Sequence, residues 1–500
     1  MLSQLKALAV VLALSSLSFW LARRAIPRSA IDDDAFKTYR NTWLLLSACA
    51  FLAGNFMLFL LVASVILIRI RQQGLPAGQF LALCLVMPAF QIAISGLGPI
   101  NNLVTAHYLR LLSWLILIPA WWAIVGNAKH PAPRTGAYLT DWMFILAGVL
   151  QAVLQLPIDT FTNTLRTGFY YFSDIYLPYW VMSRAVTNVA QLRHVAAALS
   201  LGVMAVSLTA VFEFFRRWPV YDGLDNALGV FMPTVYLIRG ETGWMRATAS
   251  AGHSLALGYV CAMALLLFWA FKPQSASGKP ALDTRWWRAG MALLTAALFA
   301  SLARGSWIGA VAGLLVWKLT DKTPVKSLLK AAMAGALTLG LLSLTPQGET
   351  AINAIPFIGQ AEQSNVEYRE RLLNISWLVL WENPWLGSYD YMSHPLMLQL
   401  IQGQGIVDMV NTYLGYGLSS GLVGLTMFVA SFLLPMAGLT RQLWSRAQPH
   451  EATNLARALL ATMVATLLII ATTSSVHVIP WMYWSLIGLC VSCTRLMKTT

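Results

Sequence analysis

The arginines are the side chains in this sequence whose type and spacing point most directly to chemistry. A guanidinium offers a planar fork of donors that meets phosphate oxygens at two points. At hydrocarbon depth it is costly, so an arginine beside an apolar segment is either an anchor at the membrane surface or a ligand for an anion. Ser301-Leu-Ala-Arg304-Gly-Ser-Trp307 joins two apolar stretches with almost no loop. Arg304 therefore falls at a membrane surface, beside a glycine that lets another backbone or a ligand approach, which suits a diphosphate. The structural alternative is a helix end, and the stripe Gly305, Gly309 and Gly313 is read as packing. Arg246 lies in Gly243-Trp-Met-Arg-Ala-Thr-Ala-Ser-Ala-Gly-His253, a small-residue approach to another apolar helix whose free N–H groups favour an anion. A purely structural Arg246 is equally open. His253 is read first as a helix-start residue and second as a catalytic group.

A second group lies further along. Asn365-Val-Glu-Tyr-Arg-Glu-Arg371 leads into an apolar run at 372–380, which predicts an amphipathic helix lying over the outer mouth. Arg369 and Arg371 are secondary ligands on this reading; otherwise they form a solvated helix start, pairing weakly with Glu367 and Glu370. After Glu382-Asn-Pro-Trp-Leu-Gly-Ser-Tyr-Asp390, Asp408 stands three residues before Asn411, where the chain re-enters the membrane through Tyr413 towards Gly421. A carboxylate there accepts a proton from a hydroxyl or holds an arginine. Asp408 is the first choice for that role and His394 the second, with Asn411 and Tyr413 as substrate contacts. Cys490 and Cys493 have no second pair to complete a zinc site and read as small packing residues. The run Asp32, Asp33 and Asp34 resembles a metal-binding signature of nucleotide-sugar enzymes, but it falls on the outer side, away from nucleotide sugars, and is not read as a site. No metal or cofactor is expected. Gly278-Lys279 precedes proline and lacks a phosphate-cradling loop, which excludes an ATP-driven motor.

The elements that position these residues are membrane helices. The 500 residues are 58% hydrophobic and 11% charged, against about a quarter charged in soluble chains. About fourteen stretches are long and apolar enough to span: 5–22, 43–68, 79–97, 109–126, 140–157, 169–185, 194–214, 254–271, 287–303, 305–320, 327–345, 411–438, 456–475 and 478–496. The aromatic stretch at 169–182 carries Asp174 and Pro178 and is also compatible with an interfacial or re-entrant piece. The first stretch is read as a retained helix rather than a signal peptide. With both termini in the cytoplasm, most Lys and Arg fall inside and most Asp and Glu outside. Arg23, Arg24, Arg28, Lys37 and Arg40 are the exception, falling outside. Residues 1–165 form an N-terminal helical region, 166–440 a catalytic region with outer loops 215–253 and 346–410, and 441–500 the last helices. No internal repeat is visible, which disfavours a secondary transporter. The net charge of +14 is spread over short loops rather than gathered on a patch, so nucleic acid is excluded as a partner.

Three features in this order resemble the O-antigen ligase and polysaccharide polymerase superfamily over about residues 165–440. They are the Arg246 segment before a helix, the Ala303-Arg304-Gly305-Ser306-Trp307 junction, and the outer loop from Tyr368-Arg-Glu-Arg371 through Glu382-Asn-Pro-Trp-Leu-Gly387 to Asn411-Thr-Tyr-Leu414, Gly417 and Gly421. The resemblance implies an all-α polytopic enzyme of the bacterial inner membrane, independent of metal. It would transfer a glycan from an undecaprenyl-diphosphate carrier to a hydroxyl of an acceptor glycan at the periplasmic face, with Arg246 and Arg304 holding the diphosphate. A chain-length regulator is a further partner to consider. Ligases of this kind carry a histidine before the asparagine matching Asn411, and here that position is Val410. Asp408, His394 or His253 would then activate the acceptor. The difference favours a polymerase of surface or exopolysaccharide over ligation to lipid A core or protein. A flippase or transporter for the same lipid-linked oligosaccharide is the competing class.

Overall fold

The computed structural model describes residues 2–88, 90–96, 102–126, 136–230, 232, 238, 243–273, 284–321, 363–401, 405–445 and 450–499. Among the described residues the fold is all-α apart from one hairpin and an isolated bridge between Ile238 and Met245. The long helices are α1 (Leu2–Ala25), α2 (Asp33–Leu52), α3 (Phe56–Ile70), α4 (Pro76–Leu83), α5 (Tyr108–Val125), α6 (Tyr138–Gln155), α7 (Phe161–Tyr170), α8 (Leu177–Ala185) and α9 (Val189–Arg216). They continue with α10 (Ser254–Trp269), α11 (Thr284–Ala300), α12 (Arg304–Leu319), α13 (Gln363–Glu382), α14 (Thr412–Ser445), α15 (His450–Ile470) and α16 (Ile479–Thr499). Seven of the described helices are long and apolar enough to cross a membrane, α10 being a shorter apolar one. Helix α9 is the most enclosed of the seven. Its alanines, serines and Gly202 let neighbours approach, and a Cβ at Gly202 would lie 2.6 Å from the Ala82 carbonyl oxygen, the small-residue packing that substitutes for a hydrophobic driving force in lipid.

The stretch at 43–68 is two helices, not one span. Gly54 takes φ +61°, and the Asn55 side chain caps α3 by accepting from the Met57 N–H at 2.7 Å. This missed reversal turns the first 52 residues round. The residue-2 end of α1 packs at Gly223, close to the C-terminal end of α9. The other end, with Arg23 and Arg24, meets the starts of α2, α9 and α15. The last turn of α16 is at that second face too, where Lys498 approaches Gly136. The two ends of the chain thus lie at opposite faces, and Arg23, Arg24, Arg28, Lys37 and Arg40 share a face with Arg193 and Lys272 rather than with Arg304.

The 79–97 stretch is helical only as far as Leu83. Pro88, which has no N–H and disfavours helix at the residue before it, precedes an antiparallel hairpin of β1 (Gln91–Ser95) and β2 (Asn102–His107). The 169–185 region is helical, running from α7 through a π turn at Tyr171–Tyr176 into α8. Its Asp174 pairs with Arg110, one contact being 2.6 Å, and the guanidinium also covers the Tyr170 ring. The expected helix at 327–345, the Gly278-Lys279 pair and residues 346–362 of the long loop lie outside the described residues.

Candidate active site at the Arg304 face

The junction that carries Arg304 is rigid because its polar groups are used locally. Leu302 adopts φ +48° and reverses the chain. Ser301 donates to the Leu298 carbonyl at 2.7 Å and accepts from the Ala303 N–H at 3.3 Å. The Trp307 indole donates to the same Leu298 carbonyl at 2.9 Å and stacks on Phe299 at 5.3 Å. Beneath it runs Gly258 of α10, where a Cβ would stand 2.7 Å from the Ala303 Cβ. Arg304 therefore begins α12 in a fixed first turn. The glycines after it pack as expected: Gly305 faces Thr472, Gly309 faces Ile469, and Gly313 faces Leu266 and the Ala461 carbonyl.

The Arg246 segment is bound to this junction. Ala247 N–H donates to the Ala300 carbonyl at 3.0 Å. The fully buried Glu213 at the end of α9 accepts from the N–H groups of Val220, Thr248 and Ala249 at 3.0, 3.0 and 2.8 Å. One carboxylate thus draws the whole small-residue approach against the bundle, with Arg246 next to the α11–α12 junction. His253 caps α10, its Nδ1 accepting from the Leu255 N–H at 3.1 Å. Burial, then His477 and Arg246, pushes its imidazole down to about 3.

The residues that sequence reasoning missed are in the turn at 471–478, whose parts had been assigned to the ends of two spans. The turn connects every part of the site. Arg369 of α13 donates to the Thr472 carbonyl at 3.4 Å. Thr412 donates to the Thr473 carbonyl at 2.9 Å, Ser474 donates to Asp408 Oδ1 at 2.9 Å, and Ser475 lies 3.0 Å from the Thr412 hydroxyl. His477 takes φ +51° and sets its ring 5.9 Å from that of His253. Burial pushes it down to about 4. The signal available in sequence was the polar run Thr472-Thr-Ser-Ser-Val-His477 between two apolar segments.

The remaining expected site residues divide clearly. Asp408 is held at the turn, its backbone clasped by the Tyr368 hydroxyl, which donates to its carbonyl at 2.9 Å and accepts from its N–H at 3.0 Å. Arg371 is exposed and, two residues beyond Arg369, leaves α13 about 200° further round. Asn411 caps α14, its Oδ1 accepting from Tyr413 and Leu414 N–H at 2.9 and 3.3 Å. Tyr413 donates to the Leu467 carbonyl at 2.9 Å. Both therefore serve the helix entry. His394 stands apart: its Nδ1 accepts from the Leu396 N–H at 3.2 Å, and its Nε2 donates to Glu382 at 3.2 Å. Glu382 is at the far end of α13, about 20 Å along the axis from Arg369. The Glu382-Asn-Pro-Trp-Leu-Gly387 segment docks where α14 breaks at Gly421. Leu422 N–H donates to the Pro384 carbonyl at 2.8 Å and Val423 N–H to that of Trp385 at 3.2 Å, so loop backbone satisfies the interrupted helix.

Residues 289–429 match the family model described as O-antigen ligase. That match, over a little more than a quarter of the chain, supports the O-antigen ligase and polymerase superfamily. The matched segment runs from α11 into α14 and contains Arg304, Arg369, Arg371, Asp408 and Asn411, while Arg246, His253 and His477 lie outside it. No curated protein matches the chain. A ligase- or polymerase-type membrane glycosyltransferase acting on a lipid-linked glycan is the general activity that this match supports.

Proposed function

We propose that this protein polymerises surface or exopolysaccharide repeat units by moving an undecaprenyl-diphosphate-linked glycan onto an acceptor glycan hydroxyl at the periplasmic face of the bacterial inner membrane. The observation that carries this reading is the convergence of three arginine segments: those of Arg246 and Arg304 through the Ala247–Ala300 hydrogen bond, and Arg369 through the turn that Gly305 packs against. The orientation rests on charge. Arg23, Arg24, Arg28, Lys37 and Arg40 gather at the face opposite Arg304 with Arg193 and Lys272, as cytoplasmic loops require.

In the transfer, the acceptor oxygen forms a bond to the anomeric carbon as the bond from that carbon to the diphosphate oxygen breaks. The diphosphate leaves with an added negative charge, which Arg304, Arg246 and Arg369 stabilise without reorganising. Asp408 has one oxygen committed to Ser474, and its Oδ2 takes the acceptor's proton. His253 accepts a backbone N–H at Nδ1, so its neutral ring carries its proton on Nε2 and serves as a donor to an anionic oxygen rather than as a base. Val410 in place of the ligase histidine favours polymerase over ligase.

Arg304→Ala is expected to leave protein in the membrane while transfer falls by about 100-fold or more. Proteoliposomes given lipid-linked oligosaccharide provide the test. Normal chain growth in the variant overturns the arginine assignment, and wild-type protein that moves unaltered lipid without chain growth supports a flippase instead. Appearance of core-linked product only in Val410→His would identify that residue as the determinant between ligase and polymerase.

A further inference from the structure

A second basic site lies at the opposite end of the bundle, in a cavity of about 1310 Å³ between the end of α1 and the starts of α2, α9, α11 and α15. Among the described residues, six cations line it, Arg23, Arg24, Arg28, Arg40, Arg193 and Lys272, and one carboxylate, Glu451. Two of the six are neutralised locally. Arg23 pairs with Asp33, and Arg193 with Glu451 at 2.5 Å. Arg28 stands 4.0 Å from the same Asp33. Arg24, Arg40 and Lys272 pair with no carboxylate among the described residues. Arg40 donates only to the Asn41 side chain, at 2.9 and 3.0 Å. A cleft of low-dielectric walls with an excess of positive charge concentrates field and draws in an anion.

The walls also specify what kind of anion. The Arg24 guanidinium lies 3.8 Å from the Trp20 ring and 5.1 Å from that of Trp286, and the two indoles meet edge to face at 5.4 Å. Trp20 is 48% exposed on the outside of the helix bundle, the position of an interfacial belt tryptophan. Phe19, Leu44 and Phe271 complete an apolar flank to the same cavity. A small soluble anion uses the guanidiniums and leaves this flank bare. An amphiphile uses both: its phosphate meets Arg24, Arg40 and Lys272, and its glycerol and upper chains lie along the aromatic wall. Basic pockets between membrane helices take anionic headgroups in this manner.

We propose that this cavity binds the headgroup of an anionic glycerophospholipid, at the face opposite the catalytic arginines. The full-length protein, delipidated in detergent, is to be reconstituted in phosphatidylcholine nanodiscs with or without a minority of phosphatidylglycerol. Lipid retained on the protein is then read by native mass spectrometry. The wild type is expected to retain phosphatidylglycerol in preference to phosphatidylcholine. Arg24→Gln/Arg40→Gln should reduce that preference on the order of tenfold, and Lys272→Gln, an exposed change less exposed to folding defects, should reduce it in the same direction. Arg441→Gln, on the same face and outside the cavity, should retain it. Equal preference in wild type and in both cavity variants overturns the proposal. So does inorganic pyrophosphate raising the thermal midpoint of the wild type in pure phosphatidylcholine as far as phosphatidylglycerol does, since that marks a site for a soluble anion.

Discussion

Placing the first turn of α12 against the turn at 471–478 makes Gly305→Ala a sharp test of the proposed geometry. The new methyl would stand 2.3 Å from Thr472 Oγ1, whereas ordinary contact begins at 3.4 Å, so about 1 Å must be found. There are two ways to find it. Thr472 can rotate away and surrender its 3.1 Å hydrogen bond to the Ile469 carbonyl, a cost of about 1 kcal/mol. Alternatively α12 shifts, overpacking costs about 1–3 kcal/mol, and Arg304 moves by a distance that costs on the order of 100-fold in a positioned reaction. Alanine is the better helix former by about 1 kcal/mol, which offsets much of the stability loss. The expected phenotype is therefore a near-normal thermal midpoint with transfer reduced about 10- to 100-fold, measured as glycan ladder growth in proteoliposomes. Thr472→Ala should restore activity in the double variant, because the next atoms are Thr472 Cβ at 3.5 Å and Thr473 Oγ1 at 3.8 Å. Wild-type transfer by Gly305→Ala, or a double variant as slow as the single, would refute the reasoning.

Other consequences are open to direct measurement. Gly421→Ala introduces a Cβ 2.2 Å from the Trp385 carbonyl at φ +62°, so it should cost more than about 3 kcal/mol and expose the 384–388 loop to protease; Gly417→Ala, whose nearest neighbours are at 3.8 and 4.0 Å, should be tolerated. Burial first, with Arg110, His477 and Arg246 adding to it at His107 and His253, lowers His107 to about 3, His253 to about 3 and His477 to about 4. The stability gained by keeping them neutral is fully present above the ordinary value of 6.5 and is lost as pH falls through the window down to 3–4. The thermal midpoint in detergent should fall over that range, and His477→Gln should flatten the fall. Ser29→Cys should react with an impermeant maleimide from the cytoplasmic side and Asn226→Cys from the periplasmic side, whereas labelling of both from one side contradicts the α1–α3 topology.

Fold class and the arginine segments were legible because both depend on local pattern. Long apolar runs identify helices, and an arginine abutting one is conspicuous without any tertiary knowledge. The errors came where one residue decides between continuation and reversal. Nothing in hydropathy separates 43–68 into two helices; Gly54 and Asn55 do so through a positive φ and a side-chain cap. That single turn inverted the predicted orientation of everything before it and created the anomalous basic outer loop. The hairpin was missed for a related reason, since 79–97 has the length and apolarity of a span while Pro88 ends the helical option. The site was harder to see than the fold. Ser474 is 66 residues from Asp408, and Thr472 and His477 are much further from the Arg369, Gly305 and His253 they meet, so no spacing rule connects them.

Histidine chemistry at this face is limited by which nitrogen each ring has committed. His107, His253 and His394 each sit just before a helix and accept the N–H two residues on, at Nδ1. A neutral imidazole that accepts at Nδ1 has its proton on Nε2, so the remaining nitrogen of all three is a donor. Capping therefore removes them as bases while leaving them suited to bind oxyanions, and His394 spends even that proton on Glu382. His477 begins no helix and makes no hydrogen bond among the described residues, yet its ring is beside His253 and two residues from Ser475. On the proposed reading, the function of a ligase histidine at 410 falls here to two groups: Asp408, with one oxygen fixed by Ser474 of the turn, and His477 on that turn. Of these, His477 is the weaker acceptor, because burial lowers the proton affinity of its imidazole, and this leaves the Asp408 carboxylate as the base of the proposed transfer.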